Sequence, residues 1–152
     1  MRGGWASAWL AQVAEDARLC RSEALAAMAD EAGGRRSGCV SVARGSVSDP
    51  MAAVDARMDR DAARAARMER SAASVEECER VLDGMAAAGL RVEAYVVGLR
   101  DLDGMSWPRV ALALGTSVST AKRRRRVAVD WLDHVGPTRA RMGVGTATES
   151  RT

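Results

Sequence analysis

Aromatic residues are scarce in this sequence. Phenylalanine is absent, tyrosine occurs once, and aromatic residues make up 3% of the 152 residues. Sheets favour aromatic and β-branched residues, whereas close helix contacts suit the alanine that is abundant here. The composition predicts an all-α fold, and the length is sufficient for one domain or two small ones.

Cysteine and long hydrophobic runs are also sparse. Cys20, Cys39 and Cys78 are far apart and have no metal-ligand spacing. Their odd number and wide spacing argue against a disulfide framework and indicate reduced thiols. No apolar run has the length of a signal-peptide core or a membrane span. We therefore expect a cytoplasmic protein, associated with the bacterial nucleoid, that has no membrane partner.

Residue sets that support catalysis are missing from the sequence pattern. His134 is the only histidine, and it stands near the end of a predicted helix, where a cation suits the helix dipole. No Ser-His-Asp set, acidic pair or phosphate loop is evident, and the glycines at 33–34 and 143–145 lack the strand context of a dinucleotide site. The sequence predicts no enzyme activity, no metal and no cofactor.

Charge is unevenly distributed along the chain. Residues 106–142 contain eight basic and two acidic residues, a net charge of +6. Residues 49–89 contain nine acidic residues and six arginines, a net charge of −3. A basic C-terminal third on an acidic body is typical of a nucleic-acid-binding module.

Hydrophobic periodicity predicts two helices in the N-terminal part, joined by a mobile linker at 33–48 that is rich in Gly, Ser and Arg. The first helix runs from Trp5 to Ala32. The second starts at the cap Asp49-Pro50 and continues to about Gly89. Their predicted apolar stripes are Trp9, Val13, Ala17, Cys20, Ala24 and Met28 in the first helix, and Met51, Val54, Met58, Ala65, Met68, Ala72, Val75, Leu82 and Ala86 in the second.

The second of these stripes has the heptad rhythm of a coiled coil, interrupted by charge at Asp61 and Glu79. Its partner is the first helix folded back as a hairpin, or the same helix in a homodimer, and the sequence leaves both open. The expected domains are a helical hairpin or coiled-coil region at 1–89, a DNA-binding module at 90–136 and a disordered tail at 137–152.

The DNA-binding module contains the pattern of a helix-turn-helix. A helix at 90–102 supports a short one from Ser106 to Leu114, and Gly115 permits the left-handed backbone of a sharp turn. Ser117 or Ser119 caps the last helix, which Gly136-Pro137 ends. The predicted inward residues of the two-helix unit are Val110, Ala111, Leu114, Val118, Ala121 and Ala128.

The outward residues of this unit are suited to double-stranded DNA. Ser119, Thr120, Lys122 and Arg123 are predicted to contact base edges, since Arg and Lys favour guanine. Phosphate contacts are predicted for Arg109, Ser117, Arg124 and Arg126. Arg125 is expected to face partly inward, with its stem packed and its charged head reaching solvent.

The stretch from about Leu90 to Leu132 resembles the C-terminal DNA-binding region of sigma-70 factors, through LRDLDGMSWPRVALALGTSVSTAKRRRRVAVDWL. The layout of residues 5–135 resembles the RinA/ArpU-like regulators of bacteriophages. The features that carry it are the glycine-rich break, Asp49-Pro50, the long helix and the module with Tyr95, Gly104, Trp107 and the arginine run. That family implies promoter binding in phage late-gene control, with contact to host RNA polymerase left open.

Two other functions are compatible with the same pattern. A phage DNA-packaging adaptor, similar to a small terminase subunit, also joins a helix-turn-helix to helical oligomerisation elements and assembles into a ring. A coiled-coil scaffold would use the basic region only for added affinity. A regulator is expected to be a monomer or dimer that binds a defined site.

Overall fold

The computed structural model describes residues 4–33 and 49–142. Within these ranges the chain is helical and has no strand, so the predicted all-α fold is confirmed. The helices are α1 (Trp5–Ala32), α2 (Pro50–Ala87), α3 (Arg91–Val97), α4 (Trp107–Leu114), α5 (Val118–Val135) and α6 (Pro137–Arg141). After α3 the chain continues as a π-helical turn, Gly98–Leu102. Apart from Gly33, the predicted linker lies outside the described residues.

The two long helices α1 and α2 pack antiparallel. Ser71 Oγ donates a hydrogen bond to Asp16 Oδ1 at 2.9 Å, and Arg64 pairs with Glu23 about two turns away. The start of α2 follows the sequence pattern, because the Asp49 side chain accepts a hydrogen bond from the Met51 N–H at 3.0 Å and Pro50 occupies the first turn. The predicted cap is therefore confirmed. None of the helices in the described ranges combines the length and apolar character needed to cross a bilayer.

The main core joins the long helices to the C-terminal elements. Its buried residues are Ala6, Leu10 and Val13 from α1, Cys78, Val81 and Met85 from α2, Ala94 and Val97 from α3, Ala128 and Leu132 from α5, and Ala140 from α6. A second, smaller cluster holds α3 and the π turn against α4 and α5. Regions 1–89 and 90–136 thus share one apolar core. Burial of each of its Leu, Val or Met side chains contributes about 1.5–3 kcal/mol to stability.

The buried faces of α1 and α2 differ from the predicted stripes. In α2 the buried residues are Ser71, Cys78, Val81 and Met85, one position away from the heptad seam. The predicted stripe of α1 continues to Met28, yet full burial ends at Ala17 and Met28 is exposed. The apolar contacts of the C-terminal elements lie along the N-terminal half of α1 and the C-terminal half of α2, and further along α1 Arg21 donates a hydrogen bond to the Leu102 carbonyl.

The predicted disordered tail is wrong for its first residues. Pro137–Arg141 forms α6, which packs on α2 with Ala140 fully buried in the main core. Arg141 pairs with Glu77 of α2. Gly136-Pro137 ends α5 as predicted, but the same proline starts a new helix, since its backbone angle suits the first helical turn. Residues 143–152 lie outside the described residues.

Cys78 is fully buried between the long helices and the C-terminal elements. Burial raises the pKa of its thiol to about 12, with smaller contributions from Asp101, Glu79 and Glu77. Because the thiolate is the reactive form, we expect Cys78 to resist iodoacetamide at about pH 8 in the folded protein and to react fully in guanidinium chloride. Peptide mass spectrometry measures this, and modification of Cys78 as rapid as that of the less buried Cys20 would contradict the packing.

Candidate nucleic-acid interface

Helices α4 and α5 are joined by the short turn 115–117. Gly115 has φ 63° and ψ 34°, the left-handed conformation predicted for it. The Thr116 N–H donates to the Ala111 carbonyl at 3.0 Å and closes the end of α4. Ser117 then caps α5 by accepting a hydrogen bond from the Thr120 N–H at 3.1 Å. The turn thus has the local chemistry that the sequence pattern predicted.

Small residues allow α4 and α5 to approach closely. Ala111 and Ala121 are buried together with Val110, Val96 and Leu99 in the smaller core cluster. Leu114 and Val118 are half-buried at its edge. Further along α5, Ala128 belongs to the main core. The predicted inward face of the two-helix unit is therefore confirmed, and it determines which side chains α5 directs outward.

The outward face of α5 collects four of the predicted site residues. Ser119 lies three and four residues before Lys122 and Arg123, and Arg126 lies four and three residues after them. The four side chains therefore lie on one side of the helix, opposite Ala121 and Ala128. All four are exposed. In the described part of the chain, neither Arg123 nor Arg126 forms an ion pair. The result is a cationic ridge with a hydroxyl at its N-terminal end, and we call these four residues the α5 ridge.

The other predicted residues flank this ridge. Arg109 is exposed on α4. Thr120 is half-buried, and its hydroxyl lies 3.0 Å from the hydroxyl of Ser117, so these two side chains are partly engaged in capping the helix. Arg109 and Ser117 are thus exposed, whereas Thr120 is less accessible than the residues of the α5 ridge.

Two of the four consecutive arginines are held by buried acids. Arg124 Nη1 donates to Glu93 Oε1 at 2.6 Å. Arg125 binds Asp101 through two hydrogen bonds of 2.9 Å each. Glu93 and Asp101 are among the buried residues. Arg125 faces inward as expected, but its head is bonded to Asp101 rather than directed to solvent. The Arg124 side chain stays 45% exposed.

The π turn positions Asp101 for this contact. The sequence predicted one helix over 90–102, in which Val92 and Tyr95 of α3 are 44% and 53% exposed. The chain instead passes into the wider turn Gly98–Leu102, in which Leu99 and Asp101 are the buried positions. Sequence reasoning missed Glu93 and Asp101. The only signal available was two acidic residues in a helix preceding four arginines.

Trp107, at the start of α4, has two cations near its indole ring. The Cζ of Arg100 is 5.1 Å from the centre of the indole ring, and the Nζ of Lys122 is 5.9 Å from it. Arg100 is itself fixed by donating to the Met105 carbonyl at 2.6 Å. Cations at such distances are attracted to the face of an aromatic ring. The half-buried Trp107 therefore limits the positions that the Lys122 ammonium samples at the edge of the α5 ridge.

The side chains of the α5 ridge have the chemistry needed to bind a polyanion. They offer guanidinium, ammonium and hydroxyl donors on one exposed helix face, and a rigid ion-paired base lies behind them. Within 4–33 and 49–142, no three His, Cys, Asp or Glu side chains are grouped to hold a metal ion. Comparisons with protein-family models, with curated proteins and with solved structures return no match to this chain.

Proposed function

We propose that this chain is a sequence-specific regulator of transcription that binds double-stranded DNA through α4 and α5. In this proposal the two helices are a helix-turn-helix, and α5 enters the major groove. The observation that carries the proposal is the α5 ridge. Its side chains are exposed on the helix that follows the turn at Gly115. Those side chains have the donors that base edges and phosphates accept.

The ion pairs behind the ridge support the same proposal. Recognition of base edges needs a helix that is held in one position. Arg124 and Arg125 bind Glu93 and Asp101, and these contacts tie the middle of α5 to α3 and the π turn. Four adjacent arginines thus divide into two that hold the helix and two, Arg123 and Arg126, that face outward. A run of arginines that only contacts solvent would not require two of them to be fixed by buried acids.

From the resemblance to RinA/ArpU-like regulators we further propose that the chain acts in phage or prophage late-gene control, with no catalytic step. The test is selection of bound sequences from a random duplex library by the full chain, followed by fluorescence anisotropy on the enriched duplexes. A defined motif that survives moderate salt supports the proposal. Binding without a motif favours the packaging or scaffold functions, and an absence of binding rejects all DNA-based functions of this face.

Arg126 is expected to act on phosphates. In a titration from about 50 to 200 mM salt, we expect Arg126→Ala to reduce the slope of log Kobs against log[salt] by about one. Binding should weaken to a similar degree for all duplex sequences, because a phosphate contact carries no sequence information. Arg80→Ala, which removes an exposed arginine from α2, is the matched control. An unchanged slope for Arg126→Ala would contradict this role.

A further inference from the structure

Helix α2 carries an exposed apolar stripe that the fold leaves uncovered within the described ranges. Met51, Val54, Met58, Ala65 and Ala72 recur at heptad positions a and d and are all exposed. The three large side chains Met51, Val54 and Met58 are 65%, 49% and 64% accessible. We call these five residues the α2 stripe. Exposed methionine and valine at a regular period mark a surface that a partner helix covers.

The packing of α1 leaves this stripe open. The contacts from α2 to α1 include Arg64 with Glu23 and Ser71 with Asp16. Successive residues of a helix are about 100° apart around its axis. Arg64 and Ser71 therefore lie about 110° around the α2 axis from the centre of the stripe. A helix can therefore lie along the stripe while α1 keeps its place. Such a helix would pack on α2 beside α1 and would not displace α1.

The charges that flank the stripe specify which helix fits. The g positions before Met58 and Ala65 are Arg57 and Arg64, and the e positions are Asp55, Ala62 and Glu69. In a parallel pair of identical helices, g of one copy meets e of the other, so Arg64 meets Glu69 of the second copy. An antiparallel pair would set arginine against arginine and acid against acid.

Arg64 can serve both neighbours. Its side chain is 63% exposed although it is paired with Glu23. A guanidinium has five N–H donors, and one carboxylate uses at most part of them. The flanking charges therefore favour a parallel pairing over an antiparallel one, and the hairpin contact need not break.

We propose that two copies of this chain associate through the α2 stripe as a parallel two-stranded coiled coil. Asp61, at the d position between Met58 and Ala65, then faces the Asp61 of the second copy. A charged residue at one such layer weakens the pair while holding it in register. The association is thus reversible, and Asp61 limits its strength.

If the proposed DNA-binding function also holds, this association defines the form of the target. The two-fold axis of a parallel pair runs along α2, so the two α5 ridges are related by that axis. A DNA site that matches this symmetry is an inverted repeat. This consequence rests on the proposed function, whereas the association itself does not.

The test is analytical ultracentrifugation of the full chain without DNA, from micromolar to hundreds of micromolar concentration. We expect a reversible dimer in the unmodified protein and a monomer over this range for Val54→Lys/Met58→Lys. Asp61→Leu should tighten the dimer by about tenfold or more, by removing the repulsion between two buried carboxylates. Leu25→Lys/Met28→Lys, which changes exposed residues of α1, is the matched control and should still dimerise. Circular dichroism checks that each variant remains helical.

Orientation is tested by Met51→Cys in a Cys20→Ser/Cys39→Ser background. A parallel pair sets this position against the same position of the second copy, so we expect a disulfide-linked dimer under mild oxidation. An antiparallel pair does not form it.

Four results would overturn the proposal: a monomer at all concentrations, a ring of many subunits, an undiminished dimer in Val54→Lys/Met58→Lys, or an absence of the cross-link. A monomer that binds a defined DNA motif rejects the association alone, and a dimer that ignores DNA rejects the proposed function alone.

Discussion

Replacing Arg123 with alanine is expected to weaken binding to a cognate duplex by about 1–3 kcal/mol, which corresponds to about 5- to 150-fold in affinity. Arg123 is exposed on the α5 ridge, on the second turn of the helix that is proposed to enter the major groove. A bidentate contact to guanine specifies one base pair. The loss should therefore be accompanied by relaxed preference at one position of the motif and little change elsewhere.

The measurement is anisotropy on the selected duplex and on its single-base variants, at one fixed salt concentration. Arg80→Ala, on the exposed surface of α2, removes the same charge away from the ridge and should change affinity little. If Arg123→Ala binds with unchanged affinity and unchanged base preference, then α5 is not the recognition helix. A uniform loss over all duplexes would instead assign Arg123 to phosphate.

Replacing Arg125 with alanine is expected to have its effect on stability. The Asp101 side chain is 9% exposed and receives both of its ion-pair hydrogen bonds from Arg125. Removing one member of a buried pair leaves an uncompensated charge, which costs about 3–5 kcal/mol when both members are fully buried. Because the Arg125 side chain is 26% exposed, we expect the lower end of that range, about 3 kcal/mol in the free energy of unfolding.

Urea denaturation followed by circular dichroism measures this loss. Arg123→Ala removes the adjacent, exposed arginine and should stay within about 0.5 kcal/mol of the unmodified protein. Asp101→Leu/Arg125→Met replaces the pair with apolar side chains and should recover most of the stability, since a well-packed apolar pair often matches a buried ion pair. If Arg125→Ala alone stays within about 0.5 kcal/mol, the Asp101 contact does not hold α5 in place.

The two substitutions together separate recognition from positioning within one arginine run. Arg123→Ala is expected to reduce DNA affinity while the fold is kept, and Arg125→Ala to reduce stability first. The sequence predicted that Arg123 faces outward and Arg125 partly inward, but it did not predict that Asp101 binds the Arg125 head. The difference arises because adjacent positions on a helix point about 100° apart, so one faces Asp101 and the other faces solvent.

Features decided within a few residues could be predicted from the sequence. The helical character follows from composition and periodicity. Asp49 caps α2, Ser117 caps α5 and Gly115 takes the left-handed conformation, as their local patterns predicted. The inward set of the α4–α5 unit was also correct, because a short turn limits the mutual rotation of two helices that follow one another in the chain. With that set fixed, the outward positions of Ser119, Lys122, Arg123 and Arg126 follow.

Only the tertiary structure decided the contacts between distant segments. Arg124 and Glu93 are 31 residues apart, and Arg125 and Asp101 are 24 apart. The π turn that buries Asp101 has no local signature in the sequence. Likewise, α6 is stable because α2 offers it an apolar surface, which a polar tail of five residues does not reveal by itself. The heptad pattern of α2 marked an apolar stripe, but which face is covered depends on where α1 and the C-terminal elements pack. Local patterns determine which residues are helical, whereas the burial of each face depends on elements that meet only in the folded chain.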